Sequence, residues 1–182
     1  MTLPAIQQAI VSALSAAGLG DHVQSHPGRM SIDDLKRLVV RGRSTVCVGC
    51  LGLPRIEYTS VGVELETHLA AFILAVDGQG LPRDATAMTL AAAVGRLVVS
   101  NVWGREDLDT PDAIRADNLY SGKLDQRAVA LWAVTWRQNW RPVADSSSID
   151  DLLRVLATWD LDTEQDGEPT PTDTIELEGG SV

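Results

Sequence analysis

The chain has 182 residues, 45% of them apolar, and a formal net charge of −10 at pH 7. That length can bury a core without disulfide or metal staples, and the acidity argues against nucleic acid or anionic lipid as electrostatically attracted partners. No apolar run approaches the ~20 residues of a membrane-spanning helix, and "MTLPAIQQAIVSALSAAGLG" lacks the basic start of a secretory leader, so folding in a reducing cytoplasm, where disulfides are rare, is expected.

Residues 3–17 read as a helix. Thr2 can cap it, Pro4 sits where a missing N–H costs little, and Ile6, Ile10, Ala13, Leu14 and Ala17 share one face. "DHVQSHPGRM" reads as a turn-rich connection with two exposed histidines, His22 and His26. In "SIDDLKRLVVRG", Ser31 and Asp34 have capping-box spacing before a short amphipathic helix that stops at Gly42. "RSTVCVGCLGL" is a β-branched strand bounded by Gly52 and Pro54.

"SVGVELETHLAAFILAVDG" alternates. Val63, Leu65, Leu69 and Ile73 share one parity, and Glu64, Glu66 and His68 take the other. Past Ala70 both parities are apolar, which predicts cover on both faces. "DGQGLPRD" is a turn. Asp84 then caps a helix running to Gly104, with Met88, Ala91, Val94, Leu97 and Val98 on its buried side and Gly95 allowing close approach to a sheet. Residues 105–118 read as a loop or short strand, and Ser121-Gly122 as a hairpin signal.

"AVALWAVTWRQNW" is the strongest strand. Trp132, Val134, Trp136 and Trp140 lie on one face with Gln138 interrupting, and Val129, Leu131, Ala133 and Thr135 lie on the other. "SSSIDDLLRVL" carries a second capping box at Ser148 and Asp151, and "ATWDL" suggests a short edge strand. The expected fold class is α+β: a mostly antiparallel sheet with helices packed on one face. Residues 1–161 form the expected domain, and the acidic, Pro/Gly/Thr-rich stretch 162–182 an expected disordered tail.

One stretch looks catalytic. Cys47 and Cys50 in "TVCVGC" form a C-x-x-C, and His22 and His26 an H-x-x-x-H. A redox pair belongs at a helix N-terminus, where the dipole lowers a thiol pKa. Here the β-branched setting favours a strand, in which residues three apart lie ~10 Å apart, too far for a disulfide; Gly49 leaves room for a bulge that would change this. Two His and two Cys make a valid zinc set, but Pro27 breaks any helix that would present both imidazoles. Buried small side chains are the favoured reading, and a small thiol- or zinc-dependent enzyme is the distant alternative.

Asp33/Asp34 and Asp150/Asp151 are accounted for by helix N-termini. Neither a G-x-S-x-G nor a phosphate-binding glycine loop is present. No catalytic residue, metal ligand or cofactor site is therefore assigned. Trp132, Trp136 and Trp140 suit a core against the helix of 84–103. Part of that face suits a subunit interface, because interfaces enrich Trp and Arg. The candidate interface residues are Trp103, Arg127, Arg137, Trp140 and Arg141.

An N-terminal helix, "HPGRMSIDDLKRLVVRGRSTVCVGCLG", a long amphipathic strand, an Ala-rich helix and "NLYSGKLDQRAVALWAVTWRQNW" together resemble the tail terminator proteins of tailed bacteriophages, with most similarity to the Mu-type family. "SSSIDDLLRVLATWDL" resembles that family's closing segment, so the likeness covers roughly residues 1–161. It rests on an order of elements and one distinctive strand, "ALWAVTWRQ", and the Cys pair is not part of the pattern. The resemblance implies a non-enzymatic virion protein of the tail and neck, assembled in the host bacterial cytoplasm. Its hexameric ring would cap the tail tube, end polymerisation and offer the surface for the head–tail connector. Phage DNA would pass through the bore without sequence-specific binding, and an acidic bore would let it slide. Another head–tail joining or tail-completion protein of the neck is the nearest alternative.

Overall fold

The computed structural model describes residues 2–31, 34, 38, 44–60, 62–77, 82–119, 124 and 128–142, with the backbone of 154–156 and 174–176. Contacts divide the chain into two units, 1–142 and 143–182, whereas the sequence reading set its boundary at 161/162.

The first unit is α+β, as expected. Helix α1 (Leu3–Ala16) and helix α2 (Arg83–Val98) accompany strands β1 (His22–His26), β2 (Ser44–Thr59), β3 (Gly62–Val76), β4 (Asp112–Asn118) and β5 (Val129–Trp140). The five strands form one sheet in the order β1-β2-β3-β5-β4. Only the β1/β2 pairing is parallel; β2/β3, β3/β5 and β5/β4 are antiparallel.

Both helices pack on one face. Ile6, Ile10 and Leu14 of α1 and Ala91, Val94 and Val98 of α2 meet the inward parity of the sheet, namely Val46 and Val48, Leu69 and Ile73, Val134 and Trp136. Gln7 ties α1 down, because its Nε2 donates to the carbonyl of His26 at 2.7 Å and of Val48 at 2.6 Å, one on each parallel strand. The other parity builds a second core from Cys47, Phe72, Leu74 and Leu131 with Leu38 and Leu124. Residues Ala70 to Ala75 are consequently all buried, as their two-sided apolar pattern predicts.

Several local expectations are corrected. Residues 22–26 form an edge strand, so His26 is buried and not an exposed loop residue. Glycines and Pro27 crowd this stretch and mask a five-residue strand whose partner is remote in sequence. Strand β2 does not stop at Gly52 and Pro54. It absorbs them in a bulge, with register shifts between Cys50 and Gly52 and between Gly52 and Arg55, and continues to Thr59. Gly52 takes a φ of 152°, which disfavours any side chain.

Helix α2 begins at Arg83 after Pro82, with Asp84 in the first turn and not at the cap. It ends at Val98, well before Gly104. Ser100 and Trp103 adopt positive φ, and Asn101 Oδ1 accepts the Trp103 N–H at 2.7 Å, a local bond that competes with the helix. Its buried stripe is Ala87, Ala91, Val94 and Val98, while Met88 is 55% exposed. Nothing approaches Gly95, so close packing does not explain that glycine. Thr2 holds the α1 N-cap position without a side-chain bond.

In the Ser31/Asp34 box, each backbone N–H donates to the other side chain, at 3.0 and 3.2 Å, and the Ser31 hydroxyl also bonds Asp34 Oδ2. The rest of the helix expected there, the turn at 78–81, the Ser121-Gly122 signal and the Ser148/Asp151 box lie outside the described residues. In the second unit β6 (Arg154–Leu156) pairs antiparallel with β7 (Thr174–Glu176). This corrects both the helix expected through residue 156 and the unstructured tail expected from 162; Thr174 and Ile175 are β-branched and suit a strand.

Candidate functional site

Neither Cys47 nor Cys50 forms a disulfide. Cys47 lies in the second core with Phe72, on the outward parity of β2, whereas Cys50 packs against the helix-side core with Val46 and Val48. Three residues along a strand reverses the side-chain direction, so the two sulfurs leave opposite faces of the sheet. Gly49 makes no bulge between them. A Cβ there would stand 2.9 Å from the Gly28 carbonyl oxygen, so glycine is required for the chain just after β1 to lie this close to β2.

In the parallel register Gln24 stands beside Cys47 and His26 beside Gly49. His26 therefore shares the Cys47 face, and its ring meets Phe72 edge-on at 6.2 Å. Its Nδ1 lies 2.8 Å from the Gly28 carbonyl oxygen and 3.3 Å from the Gly28 nitrogen. Nε2 lies 3.6 Å from Asp34 Oδ2, too long for a hydrogen bond. Through Nδ1 this histidine fastens Gly28 to the end of β1. Among the described residues no three His, Cys, Asp or Glu side chains are grouped to hold a metal ion.

The tryptophans surround Gln138, which is 1% exposed. Its Oε1 accepts the indole N–H of Trp103 at 2.9 Å and of Trp136 at 3.4 Å, and its Nε2 donates to the carbonyls of Asn101 at 3.1 Å and Asp109 at 2.7 Å. Four bonds satisfy the amide, so the polar residue that interrupts the strand pattern is the hub that fastens the segment 99–109 onto β5. Trp140 donates its indole N–H to Asp107 Oδ2 at 3.1 Å, and Arg105 Nη2 donates to the same oxygen at 2.6 Å. Burial pushes the Asp107 carboxyl up, but the bonds from Arg105 and then Trp140, with the Arg105 charge, outweigh it and hold the group below its ordinary value.

Of the five residues expected at an interface, Trp103 and Trp140 are buried in this chain's own core. Arg127 lies outside the described residues. Arg137 and Arg141 are half-exposed but pair within the chain, Arg137 with Glu66 at 3.3 Å and Arg141 with Glu64 at 3.1 Å. Arg141 also grips Asp109 with two parallel bonds of 2.8 and 2.7 Å. Arg55 reaches Glu57, Glu64 and Glu66 at 3.6 to 4.0 Å, completing an ion-pair lattice.

That lattice lines one face of a feature the sequence reading missed. Strand β5 pairs with β3 only from Leu65 onward, and β1 pairs with β2 only up to Gly49. Beyond those limits β2 and β3 continue as a two-stranded ribbon. Its other face carries the cross-strand pair Tyr58–Val63 and, at its base, where Leu65 also pairs with Trp140 of β5, the pair Ile56–Leu65; Ile56, Tyr58 and Val63 are 62%, 86% and 40% exposed. The signal was present in "RIEYT", which alternates like "VELE", but ending the strand at Gly52-Pro54 concealed it.

Charge divides sharply between the two units. Residues 1–142 hold fourteen Lys and Arg against fourteen Asp and Glu, whereas residues 143–182 hold one against eleven. The whole net charge thus resides in the second unit. No protein-family model matches the sequence, and no curated protein matches it. No helix among the described residues is long and apolar enough to cross a membrane.

Proposed function

We propose that the chain is a structural assembly protein, the tail terminator subunit of a tailed bacteriophage, which forms a hexameric ring on the head-proximal end of the tail tube. The observation that carries this reading is the projecting ribbon, which leaves apolar side chains exposed on an otherwise well-covered α+β sheet and suits a subunit that works by contact. The residues with catalytic potential support it in a second way. Cys47, His26, Asp107 and Gln138 are each engaged in packing or in bonds that hold segments together, and the opposed faces of Cys47 and Cys50 count against the thiol-enzyme alternative. The element order from residue 1 to 161 and the strand "ALWAVTWRQ" supply the link to tail terminators. In this reading the neighbours are the tail tube protein and the head–tail connector, and the site of action is the neck of the virion.

The charge division refines the expectation of a DNA-repelling bore. A neutral folded unit repels phosphate weakly, so repulsion falls to residues 143–182. The test is electron microscopy of purified tail tubes incubated with the full chain. We expect a ring at one end of each tube and arrested elongation. A protein that neither forms rings nor binds tube ends overturns the reading.

A further inference from the structure

The exposed ribbon face has a counterpart on the same molecule. The outward side of α2 and the residues just after α1 enclose two adjoining hollows of about 420 and 330 Å³ that share Ala93 and Arg96 in their walls. Met88 and Ala92 line the first, and Leu19 and Leu97 the second. Apart from Leu119, the large apolar side chains most exposed among the described residues belong to this helix and its C-cap (Met88, Val99) or to the ribbon (Ile56, Tyr58, Val63). One surface is convex and aromatic; the other is concave and floored by alanine.

We propose that the ribbon of one copy seats in the α2 hollow of the next copy, with Tyr58 entering beside Ala92 and Ala93. This rests on the reading of the chain as a ring subunit. Three features favour a second copy as the occupant. A two-stranded ribbon is at best marginal in water unless a face is covered, and here the polar face is satisfied by its own ion pairs while Ile56, Tyr58 and Val63 on the other face are exposed. Arg96, at the hollow, is an exposed cation with no ion-pair partner among the described residues. It complements the electron-rich face of an incoming tyrosine, as guanidinium groups over aromatic rings do. The contact joins two different surfaces, so repetition under rotation closes a ring or runs on as a filament, whereas a patch meeting itself would stop at a dimer.

The size of the patch predicts its strength. Three side chains cover a few hundred Å², against roughly 800 Å² per partner in a stable interface, so the contact is weak between two free copies and gains from ring closure. Disulfide trapping captures such encounters. Two full-length variants, both carrying Cys50→Ala, are mixed under mild oxidation, one with Tyr58→Cys and the other with Ala92→Cys. Cys47 is buried and stays out of the reaction.

We expect a cross-linked dimer in the mixture at more than ten times the yield of either variant alone, and an at least tenfold loss when Ile56→Asp is added to the Tyr58→Cys chain. A dimer from Tyr58→Cys alone in equal yield means the ribbons pair with each other and overturns the proposal. So does a mixture that yields none. Rings on tube ends without the mixed cross-link leave the terminator reading standing and this contact refuted. The cross-link without tube binding does the reverse.

Discussion

Strand β2 contains two regions of opposite fate. Ser44 to Gly49 are all buried, while Arg55 to Tyr58 are all exposed. Both stretches carry β-branched or aromatic side chains, and both pair with β3. They differ in what flanks and covers them. The first has β1 on its other edge, helix-side residues on one face and the Phe72 core on the other. The second has only its hairpin partner. Exposure along this strand is therefore set by where the neighbouring strands end.

The sharpest way to break this contrast is to unpack the covered half. Trp136 is fully buried, stacks 6.0 Å from Trp103 and donates to Gln138. Trp136→Ala removes that volume and leaves part of the amide hub unmatched, so we expect a loss of about 3–5 kcal/mol in unfolding free energy. Urea denaturation followed by circular dichroism measures it. A loss under 1 kcal/mol would mean that the helix-side core tolerates a cavity that its packing does not suggest.

A smaller effect tests the strap that closes the end of β5. Asp107 receives bonds from Arg105 and Trp140, and its carboxyl is held below the ordinary value. A depressed folded-state pKa stabilises the fold above the unfolded value of about 3.9, and that contribution fades as pH falls through the lower folded value. Asp107→Asn should therefore lose about 2 kcal/mol near neutral pH. The gap between variant and parent should narrow as pH falls below about 4. A gap independent of pH would show that the charge of Asp107 contributes nothing.

The contrast also shows how much was legible in the sequence. Period-two alternation in "VELETHLAA" and the apolar run after it located β3 and its two-sided cover, and "ALWAVTWRQNW" located β5 with the correct faces. These signals are local, because burial repeats within the strand itself. Strand β1 was hidden because its five residues are stabilised by a parallel partner some twenty positions away, together with Gln7 from α1. The early end of α2 was hidden because Asn101 makes its competing bond outside the helix. At the ribbon, Gly52 and Pro54 read as a stop, since a bulge and a strand end use the same residues. The tryptophan face reads mainly as core, and Trp103 and Trp140 joined the interface set only because interfaces enrich Trp and Arg; the four bonds of Gln138 show why an amide belongs in that core. The β-branched neighbours located both cysteines on a strand, but only Cys47 is buried as expected, and Cys50 is half-buried.

The smallest expected effect sharpens the comparison most, because it concerns what the ribbon does in the free chain. Tyr58→Thr puts another good strand former at this position and removes a ring that is 86% exposed. If nothing covers the ribbon in an isolated copy, the ring contributes only its cross-strand contact with Val63, and the change in unfolding free energy stays within about 0.5 kcal/mol. Amide hydrogen exchange adds a second reading of the same state. The amides of residues 55–59 should exchange far faster than those of 45–48, whose ladder is flanked on both edges. If Tyr58→Thr instead costs more than 1 kcal/mol at high dilution, the ring is covered within the single chain and the difference between the two halves of β2 is smaller than the exposures indicate. If the cost rises with protein concentration, the cover comes from a second copy, and the exposed half of β2 belongs to the assembly as the buried half belongs to the fold.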